Sequence, residues 1–573
     1  MPKNILLLMT DQQRADYVGY APGGKAVMPN LGRIAREGGW FSGCQTVNPI
    51  CTPARTSLIT GRYSRQIGTL TMSGDLFPQI PTVMQALQKA GYVTYGIGKF
   101  HYTQTHPWNT PRGMGMPLYA MREQMKAYGY DFVWETGGKQ QLDKCYDHYA
   151  KYLDDRGLLD AVRDFMTACG GANGDTADHN YDKALPWAFE EADYVDVVTG
   201  RVAAERLREH DPAKPFFMKV SFCGPHKPYE APQRYLDLFP MQRVDDFLLP
   251  DGQSLTGAQK EALWRQRRAA RAMLRLIDDQ IGMLLSILEE RDMLEDTLLL
   301  FTSDHGDMLG DHFMLQKGVP WRQALNVPLA IRLPGAAPIG ENTAPVELSD
   351  LAATMLDYAG LAPAQALSRS WPAYNDIIPS RSLLPVLRGE TDAVRAFAFS
   401  ECDFTEERAP GVTAGSGDAQ PRRARPLKRV AMYYHPWKQI YQVSGLPAGR
   451  SACRRVLRSA ARPGRNEKPY RGPRVPRAGR RGAAAPAIHG RPLSARAKNV
   501  GRRFLALLSL PLLLFPSIRA KPRRTKRSAG ALRVFARLTR GVRGALGKHA
   551  AGRVHKFGFT GGEKGAYGVT VKI

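Results

Sequence analysis

The sequence predicts an α/β fold, a mostly parallel central sheet with helices on both faces, from three observations. Short apolar runs end in polar residues, amphipathic segments separate them, and the two kinds alternate along the chain. The first run, "NILLLMTD" (4–11), is continuous, the pattern of a parallel strand buried on both faces. "TVMQALQKAGY" (82–92) reads as a helix stopped by Gly91, and "VTYGIGKFH" (93–101) as the strand after it. "PFFMKVSFCGPH" (215–226) is a further strand, and the amphipathic segment 269–294 a long helix leading into the strand "TLLLFTSD" (297–304). "VELSDLAATMLDYAGL" (346–361) contains another helix. "RVAMYYHPWKQIYQVSG" (429–445) reads as two alternating strands around a His-Pro turn, a small antiparallel subdomain. The expected layout is a large α/β domain over 1–370, a small C-terminal α+β subdomain over 371–446, and a basic tail over 447–573.

Length and charge agree with that division. A chain of 573 residues exceeds one ordinary core. The net charge of +27 is concentrated: from Arg450 onward there are 32 basic and 2 acidic residues, leaving 48 basic and 51 acidic before it. The large domain is therefore near neutral, and no specific nucleic-acid partner is expected of it. Seven scattered cysteines without a CxxC pair make a disulfide framework a poor expectation. The opening "MPKNILLLMTDQQ" has an apolar run too short for a signal-peptide core, so a cytoplasmic enzyme is expected.

In open α/β sheets ligands bind outside the carboxyl ends of the strands. The polar ends "TDQQ", "GKFH", "CGPH" and "SDHGD" should then converge on one site. Asp11 and Gln12 at one strand end, with Asp304 and His305 at another, form an oxygen-rich group suited to a hard divalent cation such as Ca²⁺ or Mg²⁺. Alone, Asp-Gln is more often a strand-end turn and Asp304-His305-Gly306 a loop; together, at the ends of two strands, they point to one site.

"NPICTPARTSLITGRY" (48–63) supplies an anion site. Thr52 can cap a helix whose first position is Pro53, with Gly61 as its stop, so Cys51 lies just before a helix amino terminus. Arg55, one turn on, can aim its guanidinium fork at the same anion. By composition C-x-P-x-R arises in roughly one such chain in twenty, so its surroundings decide its meaning.

Together these segments resemble the sulfatases, with the phosphonate monoester hydrolases beside them, in the alkaline-phosphatase-like superfamily. The resemblance rests on "NILLLMTDQQRAD", the stretch from "PNLGRIAREGGW" through "CTPARTSLITGRY", "GIGKFH", "SFCGPHKPY", "LLLFTSDHGDMLGDH", "NVPLAIRLPG" and "ELSDLAATMLDYAGL", spread over most of residues 4–445. It implies that a maturation enzyme reading C-x-P-x-R oxidises Cys51 to Cα-formylglycine. It also implies one divalent cation, Ca²⁺ first and Mg²⁺ or Mn²⁺ next, held by Asp11, Gln12, Asp304 and His305 beside the converted Cys51. Arg55, Lys99 and Lys317 would surround the sulfate oxygens with positive charge. His101 and His226 would hold the intermediate or protonate the leaving oxygen, while His312 reads as structural.

The expected activity is hydrolysis of a small-molecule or saccharide sulfate ester. Many sulfatases carry two adjacent acids at the first strand end and Asp-Asn at the second. This chain has Asp11-Gln12 and Asp304-His305, which keeps phosphonate or phosphate ester hydrolysis as the alternative. A binding protein on the same fold would have no need of the complete C-x-P-x-R.

The tail departs from the family. After "YQVSG" an acidic "ELYDL…DP" segment is expected, whereas residues 450–573 contain no Asp and lack the apolar periodicity of a core. A low-order segment is expected there, and a reading-frame change near residue 446 would account for its Arg, Ala, Gly and Pro. "FLALLSLPLLLFPSI" (504–518) carries two prolines and is short for a membrane span, so no membrane association is expected.

Overall fold

The computed structural model describes residues 3–20, 28–72, 74–103, 110–170, 184–368, 377–404, 427–434, 437–444, 453–460, 560–561 and 567–568. Nine strands fall among the described residues before residue 343. They are β1 (Asn4–Asp11), β2 (Gly39–Phe41), β3 (Cys44–Gln45), β4 (Val93–Lys99), β5 (Phe132–Thr136), β6 (Phe216–Pro225), β7 (Thr297–Ser303), β8 (Leu329–Arg332) and β9 (Gly340–Asn342). All but β3 form one eight-stranded sheet in the order β5-β4-β6-β1-β7-β8-β2-β9. The five strands from β5 to β7 in that order are mutually parallel, and β8 is antiparallel to both its neighbours. The expected mostly parallel sheet is what the chain forms, with β1 at its centre.

β1 shows why. Its residues alternate between two cores: Leu6 and Leu8 pack on one face, Ile5, Leu7 and Met9 on the other. The five are fully buried, each worth about 2 kcal/mol relative to an exposed side chain. The first face is covered by helices Pro29–Glu37, Val195–Glu209 and Gly257–Glu290, the second by Cys51–Thr60, Val83–Lys89 and Asp350–Tyr358. A continuous apolar run is therefore required of a strand with no solvent face.

Helix Gly257–Glu290 is longer than the expected 269–294 and shifted toward the amino terminus. Thr256 and Gln259 form a capping box, with the Thr256 hydroxyl accepting from Gln259 N–H at 3.2 Å and Gln259 Oε1 accepting from Thr256 N–H at 2.9 Å. That cap satisfies the first-turn donors and lets the helix begin in a polar stretch.

Four later strands, β11 (Ala398–Phe404), β12 (Leu427–Tyr434), β13 (Trp437–Ser444) and β14 (Cys453–Ala460), follow β10 (Val346–Glu347), which pairs with β3. β11 to β14 form a four-stranded antiparallel sheet in chain order. β12 and β13 pair antiparallel as expected, residues 435 and 436 between them lying outside the described residues, and the sheet continues past the boundary placed at 446. β14 is an addition that alternation of side chains did not signal, because the open edge of β13 offers backbone donors and acceptors to any extended segment. Elsewhere in 447–573 the expected low-order tail, the apolar run 504–518 and the proposed frame change lie outside the described residues, except for a pair of two-residue strands at Thr560–Gly561 and Tyr567–Gly568. No helix among the described residues is long and apolar enough to cross a membrane.

Candidate active site and metal centre

The carboxyl ends of β4, β6, β1 and β7 are neighbours in the sheet, so the four polar termini of the sequence meet at one edge. Glycine permits part of this crowding. Gly98, at φ +94°, lies so near β6 that a Cβ would stand 2.0 Å from Ser221 O. Lys99 and His101, the latter at φ +55°, are carried out of β4 just beyond it.

Cys51 begins helix Cys51–Thr60. Ile50 is the cap, and Ala54 N–H donates to Ile50 O at 3.0 Å. Thr52 was expected to cap; it lies instead inside the first turn, and its buried hydroxyl has no hydrogen-bond partner. Pro53 fits there because first-turn N–H groups have no helical acceptor. Gly61 ends the helix in the left-handed conformation, as expected. The whole helix is buried.

One donor atom from each of Asp11, Cys51, Asp304 and His305 lies within 4.8 Å of the other three, and all four residues are buried. His305 Nδ1 is 3.0 Å from Gly306 O, a group that only accepts, so Nδ1 carries a proton and Nε2 is the ring atom turned to the site. Burial would lower this imidazole, but Asp304 and Cys51 outweigh it and raise it above its ordinary value, and a bound cation would take the place of a proton on Nε2. That Nε2 stands 3.1 Å from Cys51 Sγ. Two carboxylates and an oriented imidazole around a buried point fit a divalent cation that takes oxygen and nitrogen ligands.

Gln12, at φ +69°, is held through its backbone N–H and both polar atoms of its side chain. Its N–H donates to Asp304 Oδ1 at 3.0 Å, its Nε2 donates to Asp307 Oδ2 at 2.6 Å, and its Oε1 accepts from Lys317 Nζ at 2.6 Å. The oxygen expected on the cation is thus shared with an ammonium. Asp307 is also the acceptor for Tyr229 O–H at 2.6 Å and Gln316 N–H at 2.8 Å. It anchors the first strand end to the loop that bears Lys317, a task the sequence reading did not assign although "SDHGD" contains it.

The electrostatics follow from this packing. Burial would raise the Asp11 carboxyl, but an ion pair with the Lys99 ammonium overrides it and holds the group well below the usual carboxylate range. Lys99 is raised in return: Asp11 outweighs the burial that would lower it. Burial also opposes ionisation of the Cys51 thiol, yet Lys317, His305 and Lys99 together hold it well below its ordinary value. Burial first, and Lys317 next, push His226 down to about 4, so its imidazole is neutral near pH 7. Its Nδ1 donates to Lys227 O at 2.7 Å, and its Nε2 accepts from Lys317 at 2.6 Å. His101 is lowered, chiefly by burial, and lies within hydrogen-bond reach of Cys51.

Asp11, Cys51, Lys99, His101, His226 and Lys317 line a cleft at the sheet edge, while Gln12, Asp304, His305 and Arg55 stand behind its wall. Arg55 differs from expectation in where it points. Its Nε donates to Asp304 Oδ2 at 2.8 Å, its Nη1 donates to Lys99 O at 2.7 Å and Ser221 Oγ at 2.8 Å, and its Nη2 stands 3.6 Å from Asp11. Two buried carboxylates require a cation, and Arg55 is the one beneath them. His312 stacks on Trp321 with ring centroids 4.0 Å apart and is not part of the cleft wall. The sequence reading missed the far wall: the Gly137–Gln141 turn, Met72, Cys223 and Gln316. Two adjacent glycines after a strand were the one signal available for that turn.

The sulfatase family model matches residues 3–361. An arylsulfatase from Clostridium perfringens (strain 13 / Type A) is 31% identical over 429 residues, spanning 71% of this chain and 83% of the relative. A choline-sulfatase from Rhizobium meliloti (strain 1021) is 27% identical over 399 residues, spanning 66% and 71%. Among solved structures, the phosphonate monoester hydrolase of Agrobacterium radiobacter has the same fold, with a TM-score of 0.57 at 22% identity, covering 78% of this chain and 89% of that one. The segment matched by the family model contains the whole cleft, and the chain belongs to the sulfatase family, as a sulfuric ester hydrolase.

Proposed function

We propose that the chain hydrolyses sulfate esters with a divalent cation and a Cα-formylglycine formed from Cys51. The observation that carries this reading is the buried convergence of Asp11, Cys51, Asp304 and His305, from β1, the helix Cys51–Thr60 and the β7 terminus, within 4.8 Å. Ca²⁺, or Mg²⁺ or Mn²⁺ in its place, would supply Lewis acidity, lowering the pKa of a hydroxyl at position 51 and offsetting charge on the sulfate. As a hydrated aldehyde, residue 51 would offer two hydroxyls on one carbon, one to displace the alcohol at sulfur and the other to let the aldehyde re-form as sulfate departs.

The chain's own residues provide the rest. Asp11, Asp304 and His305 would hold the cation, with the Gln12 oxygen beside them. Arg55 holds Asp11 and Asp304 in place from beneath. Lys99 and Lys317 face the sulfate oxygens, where negative charge builds. His226 and Lys317 share a proton across their 2.6 Å contact, so that pair can protonate the leaving alcohol oxygen. His101 stands by residue 51 and steadies it.

Mass spectrometry of the peptide containing residue 51 tests the nucleophile: loss of the thiol with gain of an aldehyde is expected, and an unmodified Cys51 in active protein contradicts the reading. Gln12 and His305, in place of an acid and an amide, favour one second reading, cleavage of phosphonate or phosphate esters at the same site. Parallel assays on an aryl sulfate and phenylphosphonate separate the two, with faster turnover of the sulfate expected.

A further inference from the structure

Lys139 lines the cleft but points away from it. Its side chain is fully buried, and its ammonium lies 2.7 Å from Pro228 O, 3.1 and 3.2 Å from the two Glu230 carboxylate oxygens, and 3.1 Å from Met273 Sδ. Every donor it has is used, so it has none left for a sulfate oxygen. Stability is a poor reason for such a pair, because well-packed apolar replacements of buried ion pairs are often as stable or more so.

What the pair joins is more telling. On one side is the Gly137–Gln141 turn that follows β5. Its start is fixed by Asp147 Oδ2, which accepts from Gly137 N–H at 2.7 Å and Thr136 Oγ1–H at 3.1 Å. The turn then lies along the Lys99 side chain: a Cβ on Gly138, at φ +97°, would stand 3.3 Å from Lys99 Cδ, Cε and Nζ. On the other side is the loop after β6 that carries His226. Its start is fixed by Asp196, which accepts from Cys223 N–H at 2.6 Å and Gly224 N–H at 3.0 Å, and its end is the Pro228–Glu230 segment that Lys139 grips. Tyr194 O–H donates to Glu230 O at 3.0 Å and to its Oε1 at 3.3 Å, so the acceptor side is braced as well. Each loop is thus tied to the scaffold at its root, and Lys139 ties the two loops to each other.

We propose that Lys139 and Glu230 are positioning residues for sulfate ester hydrolysis, setting the separation of Lys99 from His226 across the cleft so that both meet one substrate. The inference rests on the roles given above to Lys99 and His226. A cation on one loop and its counterion on the other fix a distance and a direction that apolar packing would leave adjustable, and misplacement by about 1 Å can cost roughly 10²-fold in rate.

The test uses the full-length enzyme, with formylglycine content measured for every variant and rates normalised to it. Lys139→Met and Glu230→Gln each leave one member of the pair buried without its partner and are expected to lower the melting temperature. The double variant Lys139→Met/Glu230→Gln removes both charges and is expected to regain stability. Its kcat on an aryl sulfate is expected to stay roughly 10²-fold below wild type while KM changes by a few-fold at most. A double variant that regains wild-type kcat together with its stability overturns positioning and leaves the pair merely structural. Lys99→Ala and His226→Ala are run alongside. If both turn over at the wild-type rate, the roles assigned to them fail and this inference fails with them; if both are inactive while the double variant is fully active, the inference alone fails.

Discussion

Cys51 Sγ and His305 Nε2 stand 3.1 Å apart although 254 residues separate them in the chain. The contact places the residue proposed for conversion to formylglycine against a residue proposed to hold the cation, and it joins the start of one helix to the end of β7. It also makes Cys51 electrostatically unusual, since the cations around it outweigh burial. Cys51→Ala is expected to abolish ester hydrolysis, by roughly 10³-fold or more, while leaving the fold intact. Circular dichroism and an aryl sulfate assay check this, and residual turnover within tenfold of wild type would exclude a nucleophile at 51.

Asp304 binds Arg55 and is one of the four clustered residues that could hold a cation. Chelation is expected to stop turnover and added Ca²⁺ or Mg²⁺ to restore it. Ligand binding to the folded state alone stabilises it, by about 2.7 kcal/mol at a hundredfold excess over Kd. Wild type should therefore melt higher with added cation. Asp304→Ala leaves the Arg55 charge buried without this partner, a loss of roughly 3–5 kcal/mol, and its melting temperature should no longer respond to the cation. A full response in that variant would place the ion elsewhere.

Lys317 is 2.6 Å from His226 Nε2 and is, after burial, the largest influence lowering that imidazole. Lys317→Met is expected to cost roughly 10²–10³ in kcat. With the cation gone, the His226 pKa moves up from about 4 toward its ordinary 6.5, so the histidine protonates at higher pH. The acid limb of the kcat/KM profile should shift to higher pH in the variant. An unchanged or downward-shifted limb would rule out His226 as the titrating group.

Glu135, at the outer edge of the parallel strands in β5, has a buried Oε2 with no hydrogen-bond partner. Burial, then Asp147, push its carboxyl from 4.5 up to about 8. A folded pKa above the unfolded one gives stability that is fully present below about pH 4.5 and lost as pH rises through about 8. Glu135→Gln removes that loss. Urea unfolding at pH 6 and pH 9 should show the variant gaining on wild type at the higher pH, and a pH-independent difference would refute the assignment.

The parts of the site legible in the sequence are those attached to strand ends. Asp11, Lys99, His226 and Asp304 follow apolar runs whose burial on both faces fixes where they stop, and C-x-P-x-R marked the helix between them. Arg55 was legible as a cation but not in its direction, because nothing local states that two carboxylates from β1 and β7 will close over it. Thr52 was misplaced by one helical boundary, since Ile50 can cap with its backbone alone. Lys139, Glu230 and Asp307 were not legible at all: their partners lie on other loops, and a single charged residue in a loop looks the same whether it is solvated or buried.

The sequence by itself determined the α/β class, the places of β1, β4, β6 and β7 along the chain and the family to which the chain belongs, because those depend on runs of apolar residues and on motifs read within a few positions. Only the tertiary structure decided which charges face one another. Coulomb pairing and desolvation act through space across loops of unrelated sequence, so the fixing of Lys99 against Asp11 and of Lys139 against Glu230 exists only once the strands have been set side by side.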